Sequence, residues 1–207
     1  SDYTDVYDER HLVKYTIVML IHFTGHPKLG DHYTNTRRYS ELLKFATSVN
    51  LDRDNIVFVS NQNPYREKDP GMMLPTFEIL KTNGFDMIYT EDDETILEIL
   101  SKVKDVKDWD IKEYNTQIII GGTNLGGCVI NSKKASAVHW RVKGYKTIIH
   151  LPLCAEYEQP GINAVEKVYR SIEQLIHFTT EYKAYGIKYC NDFHKLQFTF
   201  QTEQEGA

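Results

Sequence analysis

The sequence predicts an α/β fold: a doubly wound, mostly parallel sheet with helices on both faces, in a Rossmann-like three-layer arrangement. Three observations lead there. Several short runs of β-branched and aliphatic residues are apolar throughout instead of alternating, the pattern of strands buried on both sides. Segments with helical apolar spacing separate these runs, which calls for parallel pairing and right-handed crossovers. The chain has 207 residues, 41% hydrophobic and 26% charged, enough for one well-buried core with the ordinary balance of a soluble globular protein.

Residues 1–14 show no apolar period and read as an N-terminal arm; residues 15–184 read as the α/β domain and 185–207 as a C-terminal tail. Tyr15–Phe23 is a continuous apolar run and the first strand. The segment 24–35, with Gly25, Pro27 and Gly30, is a loop, and Arg37–Val49 carries helical spacing. Asn55–Ser60 is the second strand, followed by a loop with two prolines and a helix over Leu74–Thr82 that Asn83-Gly84 closes. Phe85–Tyr89 is the third strand. Asp92–Val106 is a helix whose first-turn acids and last-turn Lys102 and Lys104 suit its dipole. Thr116–Ile120 is the fourth strand, Asn124–Lys143 a helix, Lys146–Leu151 the fifth strand and Gly161–Phe178 the last helix. The tail offers two further strand candidates, Ile187–Tyr189 and Leu196–Phe200, which could pair with a second copy and make a homo-oligomer an expectation.

Composition removes several function classes. A net charge of −5 with scattered basic residues argues against general nucleic-acid binding, which rests on clustered Lys and Arg. The densest basic group, Lys133, Lys134, Arg141, Lys143 and Lys146, reads as the solvated face of one helix and its exit. No window approaches the ~20 apolar residues of a membrane span. Ser1–Arg10 is acidic and polar, unlike a secretory or transit peptide. Three widely spaced cysteines, Cys128, Cys154 and Cys190, suit neither a disulfide scaffold nor a CxxC zinc site. A reducing, cytoplasmic setting is the expectation.

In open α/β sheets ligands bind beyond the carboxyl ends of the strands. The most distinctive such junction follows the fourth strand: Gly121-Gly122-Thr123-Asn124-Leu125-Gly126-Gly127-Cys128-Val129. Glycines let the backbone approach a ligand, and N–H groups at a helix start attract anions and favour a thiolate. The turn therefore reads as a cysteine nucleophile with an oxyanion site, or as a phosphate or carboxylate cradle formed by Gly122, Thr123, Asn124, Gly126 and Gly127. The competing structural reading is that the glycines only permit tight strand–helix packing and Cys128 fills space. A nucleotide-binding module built on Gly121–Gly127 is a further alternative, although GGTNLGG matches neither GxGxxG nor the Walker pattern.

Gly122 to Cys128-Val129, then Ala135 and Ala137, then Gly144-Tyr145, resembles the isochorismatase-like (cysteine hydrolase) superfamily, which includes nicotinamidases and carbamoyl-amide hydrolases. IHLPLCAEY follows where that family has its fifth strand and an acidic turn. The resemblance implies a doubly wound α/β fold with Cys128 as nucleophile at the start of the helix after the fourth strand. The stretch from Cys128 to Gly144 is about a helical turn longer than the family pattern, by the usual ~3.6 residues per turn. Two further departures concern the triad. Where the family has an aspartate after the first strand, this chain has His22, and after the third it has Tyr89-Thr90-Glu91 and no lysine.

Removing the base of a triad costs orders of magnitude in rate. The leading expectation is therefore an isochorismatase-like protein without the standard triad activity, a pseudoenzyme that binds a small ligand or a protein partner at the carboxyl edge of the sheet. The alternative is a hydrolase of a small amide or ester in which Cys128 acts with His22 as base and Glu91 or Asp92 as orienter. Against it, Glu91 to Glu94 read as acids that merely begin a helix. His22, His26, Asp31 and His32 invite a metal, but their loop matches no ligand spacing. Neither a metal nor another cofactor is expected.

Overall fold

The computed structural model describes residues 13–24, 32–155 and 186–198. Within them, strands β1 (Tyr15–Ile21), β2 (Ile56–Ser60), β3 (Asp86–Tyr89), β4 (Thr116–Thr123), β5 (Lys146–Ala155) and β6 (Lys188–Cys190) form one sheet. Its order is β3-β2-β1-β4-β5-β6 and every neighbouring pair is parallel. Helices α1 (His32–Thr47), α2 (Met73–Thr82), α3 (Ile96–Lys107) and α4 (Ala137–Val142) lie between strands in the chain. This is the α/β architecture that the alternating runs predict. Among the described residues, no helix is long and apolar enough to cross a membrane.

The continuous apolar runs are explained by where their side chains go. All seven residues of β1 are buried, and alternate residues enter two separate clusters, as the two-residue period of a strand requires. Val18 and Leu20 join Phe58 and Ile119 with Leu42 and Phe45 of α1 and Phe77 and Leu80 of α2. Ile17, Met19 and Ile21 join Val57, Ile118 and Ile120 with Ile99 and Val103 of α3 and Val138 and Trp140 of α4. Full burial of each such side chain stabilises the fold by about 1.5–3 kcal/mol.

Two buried polar side chains beside the sheet, Arg38 and His150, carry direct hydrogen bonds. Arg38 of α1, fully buried, donates to Thr123 Oγ1 at 2.6 Å and lies over the Phe23 ring at 5.4 Å. His150 of β5, also fully buried, shares a 2.8 Å hydrogen bond with Glu41, which in turn meets Lys44 at 2.8 Å. Burial pushes the Glu41 carboxyl up, but the bonds from Lys44 and His150 outweigh it and leave Glu41 below its ordinary value. Burial holds the His150 imidazole below its ordinary value despite the opposing pull of Glu41.

Several boundaries differ from the sequence expectation: α1 already begins at His32, inside the expected loop, and β5 runs on to Ala155. Strand β4 runs on through Gly121, Gly122 and Thr123, so these residues belong to the sheet and not to the turn. Helix α3 starts at Ile96 and not at Asp92, because Thr95 caps it by accepting from the Glu98 N–H. The expected helix over Asn124–Lys143 is broken: one wide turn over Leu125–Val129 is followed by irregular chain, and α4 begins only after Ser136. Lys133 and Lys134 therefore do not lie on a helix face. In the tail, β6 overlaps the expected Ile187–Tyr189 strand, whereas 196–198 form no strand. The expected helix Gly161–Phe178, the arm up to residue 12, and His26 and Asp31 lie outside the described residues.

Candidate functional site

The strand order fixes where a site belongs. From β1 the chain winds outward to β2 and β3, then returns to the other side of β1 with β4, β5 and β6. The crevice at the carboxyl ends of β1 and β4 is the topological switch point, where open α/β sheets bind ligands. Ile21 is in register with Gly122 at this point. The approach is so close that a Cβ on Gly122 would stand 1.8 Å from the Ile21 carbonyl oxygen, and one on Gly121 would stand 2.3 Å from Leu153 Cβ. Both glycines are accounted for by strand packing. Thr123 is buried and engaged by Arg38. Asn124, Gly126, Gly127 and Cys128 remain half-buried at the rim.

His22 immediately follows β1 with φ 45°, a left-handed conformation that histidine adopts more readily than most residues. Its backbone N–H donates to Asn61 Oδ1 at 2.8 Å, and Asn61 follows β2. Its ring Nε2 hydrogen-bonds Asp92 Oδ1. Asn61 Nδ2 donates to that same Asp92 oxygen at 3.3 Å, so Asn61 holds both the His22 backbone and the Asp92 side chain. The other carboxylate oxygen, Oδ2, accepts from Lys133 Nζ at 2.6 Å. Four segments of the sheet edge thus converge: His22 after β1, Asn61 after β2, Asp92 after β3, and Lys133 after the Cys128 turn.

The charges are mutually supporting. Partial burial opposes ionisation of Asp92, but the hydrogen bonds and charges of Lys133 and His22 outweigh it and hold its carboxyl below the usual range. The hydrogen bond to Asp92 raises Lys133 above its ordinary value against the cost of desolvation. The charges of Asp92 and Asp93 add further attraction. Cys128 is linked to Lys133 through its backbone. Its turn is fixed by Ser136, whose hydroxyl donates to the Cys128 carbonyl at 2.5 Å and accepts from the Lys133 N–H at 2.8 Å.

Of the expected site residues, the structure places His22 and Cys128 at one end of the sheet, with Asp92 on the imidazole. Glu91 instead points outward: its carboxylate is 3.9 Å from Arg66, with both side chains largely in water. Asn61 and Lys133 are the members that the sequence reading missed. The signal for Lys133 is Ser136, a capping residue directly before the apolar positions of α4, which marks a helix start inside the segment read as one helix. No group of three candidate metal ligands occurs among the described residues. No family model, curated protein or solved structure matches the chain.

Chemically, this edge of the sheet offers a half-buried thiol, and an imidazole oriented by a carboxylate that an ammonium also holds. That set suits nucleophilic attack on an acyl carbon.

Proposed function

We propose that the protein is a cysteine-dependent hydrolase of small amides or esters, a divergent relative of the isochorismatase-like proteins. The observation that carries this reading is the hydrogen-bonded chain His22–Asp92–Lys133, assembled at the same edge of the sheet as the Cys128 turn. A carboxylate that takes the Nε2–H of a neutral imidazole leaves Nδ1 as the nitrogen for a thiol proton. In this reading His22 takes the proton from Cys128 and the sulfur attacks the carbonyl carbon. The protonated ring then gives the proton to the departing amine or alcohol. Water, deprotonated by the same ring, cleaves the thioester and returns the thiol. Asp92 orients the ring and stabilises its charged form, the role a carboxylate plays in other triads.

The test is selective alkylation followed by a substrate panel. Cys128 should react with iodoacetamide at neutral pH much faster than buried Cys154 or half-buried Cys190. His22→Ala should slow that reaction, and small aliphatic and aromatic amides and esters should be turned over by the native chain and not by Cys128→Ser. Equal, slow labelling of all three cysteines would overturn the hydrolase reading and leave ligand binding without catalysis.

A further inference from the structure

The segment 130–136 does more than connect the Cys128 turn to α4. Ile130 and Ala135 anchor it in the core, and Ser136 ties its two ends together. Between those anchors the chain carries Lys133 to the loop after β3, where its ammonium meets Asp92 while the side chain stays only 23% exposed. Ion pairs of long, solvated side chains contribute little, because holding both partners in place costs as much entropy as the contact returns. This pair differs. The backbone under Lys133 is fixed, its side chain is mostly covered, and its partner is the carboxylate that His22 and Asn61 also engage.

We propose that Lys133 is a positioning residue: by occupying Asp92 Oδ2 it leaves Oδ1 as the acceptor for His22 and locks the imidazole in place at the switch point. A carboxylate held from one side can turn about its Cβ–Cγ bond and offer either oxygen. Asp92 is 56% exposed, so without Lys133 water competes for Oδ2 and the side chain regains that freedom. Lys133 also compensates the Asp92 charge. Lys134 pairs with Asp93 at 3.4 Å across the same two loops, but both of those side chains lie mostly in water. That neighbouring pair is a matched control. The catalytic purpose of Lys133 rests on the hydrolase reading; its geometry does not.

The experiment uses the full chain with Lys133→Met, Lys133→Gln, Lys133→Arg and Lys134→Met. It reads the alkylation rate of Cys128 and the ring nitrogen NMR signals of His22 at neutral pH. Lys133→Met and Lys133→Gln should each slow alkylation about tenfold, inside the ~100-fold that a 1 Å misplacement can cost. Both should lose the slowly exchanging Nε2–H signal of His22. Lys133→Arg should restore most of the rate and the signal, and Lys134→Met should change the rate by less than about twofold, as for an exposed pair. Wild-type signal and rate in both neutral Lys133 variants would overturn the proposal, as would an equal loss in Lys134→Met. If Cys128 shows no selectivity in the native chain, the hydrolase reading falls. Loss of the His22 signal in the Lys133 variants would still support the positioning role.

Discussion

Replacing Gly122 by alanine should force β1 and β4 apart at the point where the candidate site is built. The added Cβ would lie 1.8 Å from the Ile21 carbonyl oxygen, 2.7 Å from its carbon and 2.9 Å from its nitrogen. Non-bonded carbon–oxygen contacts settle near about 3.3 Å, so one strand must retreat by roughly 1.5 Å. No flexible side chain can absorb the move, because every clashing atom is backbone. Gly122 also has φ 138°, a conformation that L-residues avoid at a cost of about 1–3 kcal/mol. Overpacking in a closed core adds about 1–3 kcal/mol. Together these give about 4 kcal/mol, a large share of the roughly 5–15 kcal/mol that stabilises a typical domain. Urea unfolding followed by circular dichroism measures it: with a slope of about 2 kcal/mol per molar, the midpoint should fall by about 2 M. Cys128 alkylation should slow as well, because His22 and the Cys128 turn hang on the two displaced strands. Gly127→Ala supplies the contrast, since its Cβ would meet Ser132 Oγ at 3.6 Å and Asn124 Cβ at 3.7 Å, ordinary contacts. A loss below about 1 kcal/mol for Gly122→Ala with unchanged slope would refute the steric argument, because that is the range of a harmless surface change.

Two more outcomes follow from polar groups described above. Because burial depresses His150, the folded protein binds fewer protons at this ring than the unfolded chain, so stability should decline as pH falls below about 6.5. Urea unfolding from pH 7.5 to 5 checks this, and His150→Gln should flatten the slope; an unchanged slope assigns the loss to other groups. Ser136→Ala removes the hydroxyl that bridges Cys128 O and Lys133 N, and should cost about 1–3 kcal/mol while slowing alkylation of Cys128. Native reactivity in that variant would show that the turn holds its shape without the bridge.

The strands were legible because a sheet covered on both sides needs uninterrupted apolar runs, and Tyr15–Ile21 and Ile56–Ser60 are buried at every position. The helix starts were legible in principle but misread at α1, α3 and α4. Thr95 followed by Glu98 carries the Thr-x-x-Glu pattern of a capping box, which marks a start at Ile96. Reading Asp92 as a first-turn acid set the structural explanation above the alternative in which it orients His22, whereas it lies before the helix and bonds that ring. The break near Lys133 was harder to see, because Lys, Ala and Ser are compatible with a helix interior and Ser136 is the local sign of a new start. The glycine run was ambiguous for another reason. Close strand approach and ligand access both call for glycine, and only the Ile21 contact assigns Gly122 to the first.

The end of the described chain bears on how the molecule is made. Phe193 and Phe198 pack edge-on against Phe45, with ring centroids 5.0 Å and 5.6 Å away, and the Gln197 carbonyl accepts from Gln117 Nε2, 80 residues upstream. While the chain emerges from the ribosome, the apolar face that α1 shares with β2 must wait for these late residues. A nascent polypeptide halted before them carries an aromatic surface exposed to water and to other chains. Vectorial synthesis therefore leaves this face open to water until residues 193–198 have been made.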